Sequence, residues 1–173
     1  MSFSLYDAVV PSNIQTLSAL VGVLGKAEVF CSEGGRSETD LIDARLAPDM
    51  LPFGYQVKSC VVHSAGALEG ASAGSFSPDK SSWPTDFAGL RQLLQQTIAR
   101  LNELDHTAID ALIDRDTTFI ADEFKLPFTA ANFLLSFAQP NFYFHATTAY
   151  AILRVKGVQL GKRDFIGLPR VKQ

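Results

Sequence analysis

Residues 129–154 read TAANFLLSFAQPNFYFHATTAYAILR, and this stretch decides the fold. Leu134, Phe137, Asn141, His145, Thr148 and Ile152 recur at steps of 3, 4, 4, 3 and 4, the period of one face of an α-helix. Thr129 is a residue type that caps helix N-termini and Gly157 one that stops helices, so the spacing predicts a helix over 129–154. Pro140 falls inside it and predicts a kink. Phe133, Phe137, Phe142, Tyr143, Phe144 and Tyr150 put rings on several sides of this helix. A helix apolar nearly all round is central in its protein or buried at a subunit contact. Phe142 and Tyr143 lie off the stripe that holds His145, which leads us to expect a homodimer through this helix.

Three further segments carry the same period. The first runs from Leu5 to Cys31, with Val9, Leu17, Leu20, Leu24 and Ala27 on its apolar face and Gly34-Gly35 as its end. Pro11 predicts either a kink there or a helix that starts there. Ser37 to Asp49 reads as a linker with a helical turn. The second helix opens at Pro52 and continues to Leu68, with Phe53, Gln56, Cys60, His63 and Ala67 on one face. Gly70 to Ser82 reads as a loop. The third helix spans Thr85 to Asn102 on Phe87, Leu90, Leu94, Thr97 and Leu101. Thr107 is expected to cap a short turn through Leu112, and Thr117 to Ile120 with Phe124 to Phe128 a small hairpin around Asp122-Glu123. The basic tail, Val158 to Gln173, reads as a solvated terminus, with folding back over the end of the helices as the alternative. The expected fold class is therefore all-α: one domain over 1–173, a four-helix bundle with long connections and a β-hairpin before the fourth helix.

Composition narrows the function classes. Of 173 residues, 47% are hydrophobic and 19% charged, and 15 basic against 18 acidic side chains leave a net charge of −3. Without a basic stripe ahead of the tail, nucleic acid is not an expected partner. No run of apolar residues approaches the roughly 18 needed to span a bilayer, and residues 1–7 lack a basic region before a greasy stretch, so neither membrane nor secretion is expected. Two cysteines, Cys31 and Cys60, make no disulfide framework, which favours a cytoplasmic location.

The chemistry sits on two stripes that should be apolar and are not. The second helix places Gln56, Cys60 and His63 on its buried face, and the fourth places Asn141, His145 and Thr148 on its own. An unpaired polar group in a core costs on the order of 1–3 kcal/mol, so these six need mutual hydrogen bonds or a shared pocket. Three readings stand: satisfied core polars, a small-molecule pocket with polar anchors, and a metal site. For the last, Asn141 and His145 are four apart on one helix face, a spacing by which two ligands grip one ion, while Cys60 and His63 offer sulfur and nitrogen from the opposing helix. Zinc, nickel or iron would suit such donors. Elsewhere, His106, Asp110, Asp114 and Asp116 read as solvated, the glycine pairs follow no strand and cradle no phosphate, and Ser64 beside His63 makes no triad.

Several blocks carry a resemblance. SLYDAVVP (4–11), RLAPDM (45–50), Gln56-Val57, PNFYFH (140–145) through Thr148-Ala149-Tyr150 to Leu153-Arg154, and GKRDF (161–165) together resemble one bacterial family of unknown function. That family is similar to the DinB/YfiT-like superfamily of four-helix bundles, many of which bind a divalent metal through three histidines, one on the second helix and two, four apart, on the fourth. Thiol-dependent transferases and a maleylpyruvate isomerase belong to that superfamily. The resemblance implies that the metal-ligand positions fall on Gln56, Asn141 and His145, of which only His145 is a histidine here, and that His63 substitutes only in a shifted register.

Overall fold

The computed structural model describes residues 4–172 and is mostly helical with a small three-stranded sheet. Helix α1, Leu5–Glu33, starts upstream of Pro11 because Ser4 caps it, its hydroxyl accepting the Asp7 N–H at 3.1 Å. Pro11 so close to the start deprives only the Asp7 carbonyl of an intrahelical donor, which removes the alternative that the helix begins at the proline. Gly35, at φ +58°, turns the chain out of α1. A short α2, Thr39–Ile42, occupies the linker.

The second helical segment is longer than its sequence period indicated. It comprises α3 (Phe53–Val61), a π-helical turn (Val62–Gly66) and α4 (Ala67–Ala73), and it ends at Gly74 with φ +79°. The expected loop from Gly70 is thus corrected. Gly70 is helical, and its missing side chain admits Phe76, whose Cβ would lie 2.8 Å from a Cβ on Gly70. The third segment, α5 (Phe87–Asn102), begins two residues later than expected because Asp86 caps it, accepting the Gly89 N–H at 2.6 Å. The short α6, His106–Asp110, is capped by Asp105 rather than Thr107.

The expected helical fold with its hairpin gains one strand that the sequence did not indicate. β2 (Asp116–Ala121) and β3 (Phe124–Thr129) form the anticipated antiparallel hairpin, and β1 (Ser75–Phe76) adds a parallel strand, with Phe76 beside Phe119. A two-residue strand has no period for a sequence to display. The fourth helical segment follows: Thr129 caps α7 (Ala130–Asn132), a π-helical turn covers Phe133–Ala138, and α8 runs over Gln139–Val155. Pro140 lies in the first turn of α8, directly after the π turn, where a missing N–H costs least.

α3 packs along α8, and α1 packs against α5, α8 and α9 (Lys162–Ile166). Phe53, Phe87, Phe133 and Phe142 are the largest fully buried side chains. Burial of Phe142 takes it away from the subunit contact expected of it, and Tyr143 shares a cleft with Ser12, Gln15, Thr16 and Phe165 of its own chain. The start of the tail is not a solvated terminus either. α9 folds back on α1 through a Lys26–Asp164 ion pair of 2.7 Å, the ring of Phe165 against Tyr150, and Gln15 donating to the Ile166 carbonyl at 2.8 Å. α1 also contains an 18-residue window of mean hydropathy 1.4, half of it buried in this core, so among the described residues one helix is long and apolar enough by composition to cross a membrane. No unbroken apolar run had signalled it, because glycines and serines punctuate that window.

Gly54 tests how tightly the segment around α3 is built. A Cβ there would strike the indole of Trp83 and sit 3.0 Å from Ile42 Cγ2. Gly54→Ala is expected to cost about 1–3 kcal/mol by overpacking, read as a lower urea midpoint. Emission from Trp83, the sole tryptophan, is expected to shift to the red as its ring is displaced.

Candidate functional site

The hydrogen bonds of Gln56 organise the interface between α3 and α8. Its Nε2 donates to the Leu51 carbonyl at 2.7 Å, which turns its Oε1 toward His145 Nδ1, also 2.7 Å away. An amide oxygen only accepts, so His145 must carry its proton on Nδ1, and its Nε2 keeps an unshared lone pair. The His63 ring lies nearly parallel to that of His145, with centroids 5.5 Å apart and 13° between planes. Its Nδ1 is buried without a hydrogen-bond partner. Desolvation lowers both imidazoles to about 4, helped for His63 by the neighbouring His145, so both are neutral at pH 7.

Aromatic rings surround the pair. Tyr55 and Phe144 meet His145 edge-on at 5.8 and 5.2 Å, while Phe76 and Phe137 lie 5.8 and 6.1 Å from His63. Phe119 of β2 packs on Phe137 at 4.8 Å, and Trp83 stands edge-on to Tyr55 at 5.7 Å. His63 and Phe137 each sit within a π turn. Such turns are rare and occur frequently at functional sites, because the added residue re-aims the side chains of one turn. Two of them meeting at one place is an independent mark of this site.

The charges nearby are spent. Lys58 is only 5% exposed; its ammonium donates to the carbonyls of Asp79 (3.0 Å) and Ser81 and pairs with the Asp79 carboxylate at 3.4 Å. That carboxylate is held below its usual range chiefly by the Ser81 N–H. The lysine thereby ties the loop before α5 to α3, and the loop delivers Trp83 to Tyr55.

Of the six residues that the sequence singled out, Gln56, His63 and His145 come together. The other three satisfy their donors on backbone carbonyls one turn back. Cys60 donates to Gln56 O at 3.2 Å, Asn141 to Phe137 O at 2.8 Å, and Thr148 to Phe144 O at 2.7 Å. Cys60 is fully buried, and desolvation pushes its thiol far up, which makes it a core residue rather than a nucleophile or a thiolate ligand. Sequence reasoning missed Tyr55, Phe76, Trp83 and Phe119. Tyr55 adjoins Gln56, but the other three arrive from a loop and a sheet with no helical period. His106 is half exposed, 3.6 Å from both Asp7 and Asp110, and Asp110 accepts from Ser4 Oγ and the Tyr6 N–H, so this cluster fastens α6 to the start of α1.

The three positions that the resemblance offers to a metal do not fit one. Gln56 Oε1 already accepts from His145, Asn141 is an amide whose Nδ2 donates to the Phe137 carbonyl of its own helix, and of the three positions only His145 is an imidazole. Among the described residues, no group of three or more His, Cys, Asp and Glu side chains could hold an ion.

The neutral imidazoles fix the pH response. Between about 6.5, the ordinary value, and about 4, the unfolded chain binds protons that the folded chain refuses. Stability is therefore full above pH 6.5 and falls as pH drops toward 4, by an order of ~3 kcal/mol for each ring. Urea midpoints at pH 7 and pH 4.5 are expected to show this loss, and His63→Phe with His145→Phe to flatten it.

The whole chain has known counterparts. Residues 5–166 match the family model described as a domain of unknown function, DUF1993. No curated protein matches the chain. The crystal structure of a DinB family member protein from Shewanella denitrificans, at 1.83 Å resolution, is similar over 98% of this chain and 95% of that one, with 27% identity and a TM-score of 0.83.

Proposed function

The chain belongs to the DUF1993 family and shares the DinB-like fold, and from that premise we propose that it binds a neutral, ring-bearing small molecule between the second and fourth segments of a four-helix bundle. One observation carries the reading: Gln56 pins His145 as the Nδ1–H tautomer, leaving Nε2 as an acceptor beside an unpartnered His63 Nδ1 and a collar of aromatic rings. Such a lining suits an apolar body with a hydroxyl, amine or thiol that donates to His145. Neutral imidazoles and a neutralised Lys58 offer no net charge to an anion.

A second reading is a divalent-metal enzyme of the thiol-dependent transferase kind. It draws support from two imidazoles in one place, and it lacks a third side-chain ligand. Zinc, nickel and iron content of the untagged protein, before and after His145→Ala, distinguishes the two: near-stoichiometric metal lost in the variant favours the enzyme.

Titration with phenol, indole and benzoate, followed by imidazole NMR signals and Trp83 emission, tests the first reading. The neutral rings are expected to shift His63 and His145 but leave His106 unmoved, with benzoate weaker. A ligand at 100 times its dissociation constant adds about 2.7 kcal/mol of stability. Gln56→Leu, which frees the tautomer, is expected to weaken binding about tenfold. Absence of any response at His145 across a wider panel of neutral rings overturns the proposal.

A further inference from the structure

Among the described residues, the outer face of α1 is left open beside the segment that follows α9. Ser18, Gly22, Gly25, Val29 and Glu33 fall on one side of the helix by spacing. A Cβ at Gly22 or Gly25 would meet nothing within 4 Å. Two adjoining grooves run along this face: one of about 510 Å³ beside Gly22, Gly25 and Val29, and one of about 630 Å³ between Ser18, Gly22 and the Gly167–Pro169 turn. Val29 (51% exposed) and Leu168 (91%) stand at their edges.

We propose that this face is the contact for a second copy of the chain, with the two α1 helices packed antiparallel about a two-fold axis between Gly22 and Gly25. The face is complementary to itself under that operation. The axis sets Gly22 opposite Gly25 of the second copy, so the backbones approach closely, and it lays Val29 over the second copy's Ser18 and Leu168. A two-fold contact needs such knobs and hollows on one surface. Charge selects the same axis. Glu33 lies eleven residues from Gly22, roughly 16 Å along the helix. The mirrored position in the second copy falls level with residues 12–15, where the Arg170 guanidinium rests on Gln15 Oε1 (3.4 Å) and Ser12 Oγ (3.2 Å). Among the described residues neither Glu33 nor Arg170 has an ion-pair partner in its own chain. The axis therefore brings two Glu33–Arg170 pairs together. At a shallow crossing angle near 20°, these long side chains span the divergence of the helices.

Sedimentation velocity across the micromolar range tests this. The wild-type chain is expected to dimerise, and Gly22→Arg, on an open surface that leaves the fold intact by circular dichroism, to leave it monomeric. Glu33→Arg and Arg170→Glu are each expected to raise the dissociation constant about tenfold, and the combined exchange to restore it to within about threefold. A wild-type chain monomeric at tens of micromolar overturns the proposal, whether or not it binds neutral lipid vesicles. A dimer unmoved by Gly22→Arg, or a double exchange no tighter than the single reversals, overturns it as well.

Discussion

The Gln56 side chain is the point on which the site's chemistry turns. A histidine in a core can lose or gain a proton on either nitrogen, and its chemistry follows whichever tautomer its neighbours fix. Here the Leu51 carbonyl orients the amide, the amide fixes Nδ1–H, and the free lone pair of Nε2 is the result. Burial then keeps the ring neutral by desolvation. Two ordinary hydrogen bonds, each contributing about 1 kcal/mol net, thereby set a proton's position between α3 and α8.

The surrounding structure holds that arrangement from several directions. The π turn in the second segment carries His63, and the π turn in the fourth carries Phe137, so the two irregular turns face the same imidazoles. Lys58 pulls the loop at Asp79–Ser81 inward, Trp83 settles over the bare backbone of Gly54, and Tyr55 is braced between Trp83 and His145. On the opposite side, Phe76 crosses Gly70 to reach β2, which places Phe119 against Phe137. Gly54, inside the expected helix, and Gly70, read as the start of a loop, are thus the gaps into which the site's aromatic walls fit.

This explains what was legible in the sequence and what was not. The 129–154 stretch showed its helix, its Thr129 cap and its polar stripe, because apolar period and capping chemistry are local. Gln56, His63 and His145 stood out as polar residues on faces that should be apolar. Nothing local separated them from Cys60, Asn141 and Thr148, since a donor satisfied one turn back on its own helix leaves no trace in residue spacing. The π turns were equally silent: one added residue shifts a hydrogen-bond register without changing the pattern of apolar side chains around it. β1 and Trp83 are placed by tertiary contacts alone, as is the docking of α9 on α1.

The amides of Gln56 and Asn141 bear on what the centre of this frame can hold. Three imidazoles, each offering a lone pair, converge on a cation because nothing else in the core satisfies them together. An amide differs, for it donates as well as accepts and can be satisfied by a carbonyl and an imidazole N–H without any ion. Gln56 does this between Leu51 and His145, and Asn141 donates to Phe137. Both amides thus place their donors on carbonyls of their own chain, and the Nε2 lone pair of His145 stays free among the rings. One fold hosts unrelated functions, so the groups on its walls, here the Gln56 amide and the His145 and His63 imidazoles, set its chemistry.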